Sequence, residues 1–177
     1  MNKKIKNKLY SIFIRYFILV LAAIPNFWIF YLIFTPLTVY PVYFILSLFF
    51  EVSLTGNSIG FLGSFSSVEI IEACIAGSAY YLLLILNLSL PNIKINKRIK
   101  MIAFSFILFL IANILRIVLL SAIYISKPQL FDITHKLSWY FGSIILVILI
   151  WFFEIKSFKI KEIPFYSDLK FFLKYVK

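Results

Sequence analysis

The 177-residue sequence contains one cysteine, Cys74, and one histidine, His135. Such a pair can carry out nucleophilic chemistry. An imidazole beside a thiol draws off its proton, the thiolate attacks a carbonyl, and the imidazolium then protonates a leaving amine. Arg116 adds a third function, because a guanidinium in a low-dielectric site stabilises the oxyanion that the attack creates. The same scarcity excludes other chemistries: a single Cys forms no internal disulfide, and one Cys with one His makes no multi-Cys/His metal site. There is no P-loop, dinucleotide fingerprint, internal repeat or acidic pair on a helix. Neither a metal nor an organic cofactor is expected.

Each of these residues also has an ordinary role to weigh against the chemical one. A lone Cys in a membrane helix is usually a small hydrophobe, and a lone His at a span boundary is usually interfacial. Arg116 could snorkel to the headgroups or pair with Glu72. It is nevertheless the hardest to dismiss, since an arginine at mid-membrane costs about 2.5–3.5 kcal/mol on insertion scales. Asn113 precedes it by about one helical turn and shares its face, where it would orient the arginine or bond another helix.

The elements that position these residues follow from composition. Hydrophobic residues make up 63% of the chain and charged residues 14%, with 21 Phe and 11 Tyr. Mean hydropathy is +0.99, so the chain reads as an integral membrane protein. Crossing about 30 Å of hydrocarbon takes about 20 apolar residues. The uncharged runs fit about four full spans, near Leu9–Phe34, Ile70–Leu90, Ile99–Ile125 and His135–Phe153. Val39–Phe50 is too short to stand upright, and Pro36 and Pro41 break its start, so it reads as a short re-entrant helix. The expected fold is thus an all-α, multi-pass helical bundle. Residues 51–69, with Gly56, Gly60 and Gly63 among Ser, Thr and Asn, read as an outer Gly-rich loop or hairpin beside a pocket. The basic start resembles a signal peptide, but the apolar run behind it is too long for a cleaved one and reads as a retained span.

The net charge of +11 carries the orientation. Fifteen of the 18 Lys and Arg residues fall in residues 1–15, in the 91–100 loop or after residue 155, and the positive-inside rule puts all three in the cytoplasm. Both termini are then cytoplasmic, with Glu51, Glu69, Glu72 and Asp132 outside. Residues 1–155 form one membrane domain and 156–177 a basic tail, whose Phe165, Leu169, Phe172, Leu173 and Val176 make an amphipathic face for an anionic leaflet rather than for nucleic acid. In this frame Arg116 lies about 16 residues, or roughly 24 Å of helix rise, beyond Lys100. Cys74 starts a helix descending from the outer face, and His135 opens the last span there. Three helices deliver thiol, guanidinium and imidazole to one level.

The stretch Glu72-Ala-Cys-Ile-Ala-Gly-Ser-Ala, the pentad Asn113-Ile-Leu-Arg-Ile and the start of the last core helix at His135 resemble the exosortase/archaeosortase family of membrane cysteine transpeptidases. The short length, the Ser-Leu-Thr-Gly-Asn stretch at 53–57 and the Ala-Gly-Ser-Ala-Tyr-Tyr run at 76–81 are most similar to its small archaeal, pacearchaeosortase-type members. This resemblance covers about residues 35–153. It implies Cys74 as nucleophile, Arg116 as transition-state stabiliser and His135 as proton-transfer residue, with Asn113, Gly77 and Glu72 in support. One departure is plain: the family usually has Ser or Thr and then Gly directly after the cysteine, whereas Ile75 and Ala76 stand before Gly77.

The resemblance also implies substrates and partners: exported proteins with a C-terminal sorting signal, cleaved at the outer face of the cell membrane and passed to an acceptor such as a lipid. Two alternatives stand beside it. One is a non-catalytic transporter or assembly subunit, in which Arg116 binds an anion or pairs with Glu72. The other is an intramembrane cysteine protease that transfers the acyl group only to water.

Overall fold

The computed structural model describes residues 3–24, 26–62 and 66–160, together with 164, 166 and 173. Most of the amphipathic tail expected over 156–177, including Phe165, Leu169, Phe172 and Val176, lies outside the described residues, as does Gly63. In chain order the elements are α1 (Lys3–Ala23), α2 (Trp28–Ser47), β1 (Val52–Thr55), β2 (Ser58–Phe61), β3 (Ser67–Glu69), α3 (Glu72–Ile75), α4 (Gly77–Leu88), α5 (Ile95–Ser126), α6 (Pro128–Leu137) and α7 (Ser143–Ser157). A single π-helical turn, Ser138–Gly142, joins α6 to α7.

Helix α5 is the hub, packing against α2, α4, α6 and α7. Its sequence explains why: Met101, Ser105, Phe109, Asn113, Ile117 and Ser121 recur every fourth residue, and all six are buried. Ile107, Ile111, Leu115 and Leu119 lie on the outward side and stay exposed, as a lipid-facing surface requires. Three helical segments are long and apolar enough to cross a membrane: Trp28–Ser47, Ile95–Ser126 and the continuous Pro128–Ser157. Glu72–Leu88 is a shorter apolar segment.

Four expected boundaries are corrected. The run Leu9–Phe34 is two helices, because Asn26 (φ 46°) and Phe27 (φ 61°) take left-handed backbone that no α-helix continues through. The separate re-entrant helix Val39–Phe50 does not form. Instead α2 runs through Pro36 and Pro41. Proline removes a donor and weakens a helix, but packing offsets this here: Phe34 stacks on Tyr80 with centroids 3.7 Å apart, and Val39, Val42 and Leu46 are buried. The span Ile70–Leu90 is broken at Ala76 (φ 59°, ψ 48°) into α3 and α4. The last helix starts at Pro128, a residue suited to the first helical position, so His135 lies within it rather than opening it.

The Gly-rich segment, expected as a loop or hairpin, forms a hairpin and adds a third strand, so the fold is mostly helical rather than all-α. β1 and β2 pair antiparallel from Val52↔Phe61 to Thr55↔Ser58, turning at Gly56 (φ 62°) and Asn57, and β3 pairs antiparallel with β2. Ile59 and Phe61 on β2 are buried in the bundle core, so the sheet seals against the helices while β3 leads directly into α3.

At the C-terminal end of α4, two arginines close the helix. Arg98 donates from Nη1 to the carbonyls of Asn87 (2.7 Å) and Leu88 (2.9 Å), and from Nη2 to that of Leu90 (2.7 Å). Arg15 donates to the carbonyls of Leu88 and Leu90 at 2.9 and 3.0 Å. The last carbonyls of a helix lack intrahelical donors, and these guanidiniums supply them. Nearby, Asn87 Nδ2 donates to Glu154 Oε2 at 3.2 Å, tying α4 to α7.

Candidate active site

Cys74 sits on α3, a single helical turn. Its N–H donates to the Ile71 carbonyl at 2.8 Å, and the turn ends when the Ala76 N–H reaches the Glu72 carbonyl at 3.2 Å. The left-handed backbone at Ala76 costs a residue with a Cβ about 1–2 kcal/mol. This kink holds the Cys74 turn apart from the axis of α4. Asn113 fixes the turn from α5, its Nδ2 donating to the Cys74 carbonyl at 2.9 Å. Asn113 therefore positions the cysteine backbone and makes no hydrogen bond to Arg116.

Cys74, Arg116 and His135 line one cavity of about 250 Å³, together with Ser67, Val68 and Glu69 of the β3 strand and Ser121, Tyr124 and Phe131. All three are half-buried. The ring of His135 stacks on Phe131 with centroids 5.2 Å apart and planes 8° from parallel, and Phe131 meets Tyr124 edge-on at 5.0 Å. Arg116 lies within electrostatic reach of Cys74 and donates from Nη1 to Ser143 Oγ at 2.6 Å. Its Nε is buried and has no hydrogen-bond partner. A guanidinium held at one nitrogen with another donor unused is suited to charge that appears only during a reaction.

The π-helical turn aligns the two residues of the last helix. In uninterrupted α-helix His135 and Ser143, eight residues apart in the sequence, would point about 80° apart. Five residues wound at about 4.4 per turn turn them to nearly the same face. One face thus carries His135 to the Cys74 cavity and Ser143 to Arg116.

The other anticipated residues lie elsewhere. Glu72 faces a neighbouring cavity and, among the described residues, forms no ion pair with Arg116, whose partner is Ser143. Gly77 permits close packing: a Cβ there would come within 2.8 Å of the Tyr31 ring. Ser143 escaped the sequence reading because its register depends on the π turn. Glu69 was visible as an acid near the site, but only the pairing of β3 shows that it lines the cavity.

The fold and cavity define a class: a helical membrane protein that presents a thiol, an imidazole and a guanidinium to one shared space. The chain belongs to the transmembrane exosortase family, whose model matches residues 6–152. Membership implies a membrane cysteine transpeptidase acting on exported proteins that carry sorting signals. No curated protein and no solved structure matches the chain.

Proposed function

We propose that the protein cleaves C-terminal sorting signals of exported proteins and transfers the new carboxyl end to an acceptor, a membrane lipid, as a small archaeosortase of the pacearchaeosortase type. The observation that carries this reading is the cavity shared by Cys74, Arg116 and His135. His135 takes the thiol proton of Cys74, and the thiolate attacks the scissile carbonyl. Arg116 stabilises the oxyanion, and the peptide C–N bond breaks as His135 returns the proton to the leaving amine. The acyl group then sits on sulfur as a thioester. An acceptor nucleophile attacks it, giving up its proton through His135 to the departing Cys74 sulfur. Asn113 supports the sequence by holding the Cys74 carbonyl, and Gly77 by admitting Tyr31 beside the kink.

Charge distribution supports an outward-facing site, with residues 1–15, the 91–100 loop and the basic tail after residue 155 in the cytoplasm. A substrate helix with a basic cytoplasmic end would then present its cleavage motif beside the β-hairpin. The test is Cys74→Ala in cells. Exported proteins are expected to keep their C-terminal helices, and a thioester trapped on the unaltered protein should map to Cys74. Unchanged processing in Cys74→Ala refutes the reading, and release to water alone in the presence of acceptor reduces it to proteolysis.

A further inference from the structure

The small sheet has two edges, and they meet different surroundings. The strand order β1-β2-β3 puts β1 and β3 outermost. β1 packs against α2, whereas β3 borders the cavity of Cys74, Arg116 and His135. Ser67, Val68 and Glu69 all line that space. Successive side chains on a strand point to opposite faces, so a space reached by three residues in a row meets the strand at its edge.

The register decides which backbone groups are offered there. The Ile70 N–H donates to the Asn57 carbonyl at 3.0 Å, and the Phe61 N–H to the Ser66 carbonyl at 3.1 Å. Both couples stand directly opposite each other in the ladder that pairs Ile59 with Val68. Antiparallel strands alternate between opposed residues that exchange hydrogen bonds and opposed residues that do not. Ser66, Val68 and Ile70 therefore turn N–H and C=O toward β2, while Ser67 and Glu69 turn theirs to the open edge. Among the described residues, no other backbone group takes these up. The extended backbone continues to Ile71 (φ −84°, ψ 170°), from which the Cys74 turn starts. The open row thus leads directly to the nucleophile.

We infer that β3 is the docking strand of the substrate: the extended residues before the scissile bond add to its free edge as a fourth strand and exchange backbone hydrogen bonds with Ser67 and Glu69. The inference rests on the cleavage reaction proposed above. An extended peptide is the occupant that chemistry requires, because in a helix each carbonyl is already engaged by an N–H four residues on and is closed to attack. Continuity selects the same occupant, since the edge opens into the cavity that holds the thiol. Strand addition supplies affinity through the backbone and leaves the side chains, which alternate between the two faces, to set specificity. A peptide seated on Ser67 and Glu69 is held in extended form, and its next carbonyl is led toward the Cys74 turn.

The test uses the full chain in detergent micelles with two acyl donors. One is p-nitrophenyl acetate, which has no amide to pair; the other is the p-nitrophenyl ester of N-acetyl-trialanine, whose amides can pair with β3. The Cys74 thiolate displaces p-nitrophenolate from either, and the burst gives the second-order rate constant of acylation. The peptide ester is expected to react about tenfold faster or more. N-methylation of the middle amide, or of the two outer amides, then blocks one face of the peptide backbone at a time. One pattern should cost about tenfold and the other about twofold or less, the period-two signature of a paired strand. This series runs on the unaltered protein and depends on no variant folding. Glu69→Pro removes an outward N–H where an edge tolerates proline, and should lower the peptide-to-acetate ratio several-fold; Ser67→Pro stands in if it does not fold. Equal losses from both methylation patterns, a peptide ester no faster than the acetate, or a ratio unchanged by both proline variants overturns the docking strand. Absence of a Cys74-dependent burst with either ester removes the cleavage reaction itself, and the docking strand with it.

Discussion

Arg98 and Arg116 lie on the same helix and are used in opposite ways. Arg98, 6% exposed, gives three hydrogen bonds to backbone carbonyls at the end of α4. Arg116 gives one, to a serine, and keeps a buried Nε without a partner beside a cavity that holds a thiol. An arginine whose donors are taken up by carbonyls is structural, for removing it strands acceptors the fold has already buried. An arginine with donors to spare is poised for an acceptor that the resting protein lacks. The number of donors left over, rather than depth or burial, distinguishes the two.

The sharpest way to break that contrast is to exchange the arginines for lysine and alanine. Arg116→Lys keeps the charge and loses the planar fork, so thioester formation should fall by about 100-fold or more, with little change in melting temperature. Arg98→Ala should do the reverse. It takes the Arg98 donor from the Asn87 carbonyl, while Arg15 still serves those of Leu88 and Leu90, and should destabilise the fold by about 1–3 kcal/mol in detergent unfolding, while the protein that remains folded reacts at the normal rate. If Arg116→Lys unfolds the protein and Arg98→Ala slows the reaction, the assignment of roles is inverted. A smaller effect is expected for Asn113→Ala, which frees the Cys74 carbonyl, costing about 1–2 kcal/mol and slowing acylation by about tenfold. Ser143→Ala should slow acylation several-fold, with the loss confined to the rate constant and not to substrate binding. The smallest expected change runs the other way. Ala76→Gly relieves the left-handed backbone and should raise stability by about 0.5–1 kcal/mol, as measured by the unfolding midpoint.

The residues of this contrast were legible in the sequence because polar groups in an apolar chain are few, and each must have a reason. Cys74, Arg116, His135 and Asn113 stand out for that cause, and the cavity gathers the first three while Asn113 holds the turn beneath them. The path of the backbone was harder to read. Pro36 and Pro41 suggested a break where α2 is continuous, because a proline's missing hydrogen bond is tolerated when neighbouring elements pack against the helix, as they do on the Phe34, Val39 and Val42 side. The real breaks came at Asn26–Phe27 and at Ala76: Asn26, which follows Pro25 in the sequence, is a residue type that tolerates left-handed backbone, whereas Phe27 and Ala76 have no such preference. The third strand, Ser67–Glu69, has three residues, too few to show a period. Pairing with Glu72 stood beside snorkelling as an ordinary role for Arg116, since a sequence cannot show which side of a kinked turn a residue faces.

The π-helical turn at Ser138–Gly142 makes the site a matter of counting. A π turn holds one residue more than the α-helical turn it replaces, so it absorbs the eighth step between His135 and Ser143 and restores the alignment that seven α-helical steps would give. Deleting one residue there would leave seven regular helical steps, about 700°, so His135 and Ser143 would still face within about 20° of each other, whereas winding the present eight steps as plain α-helix would set them about 80° apart. For this protein the informative variation in the last helix is therefore in its winding between His135 and Ser143: a gap of one residue keeps the two aligned, whereas a change that regularises the turn without shortening it parts them.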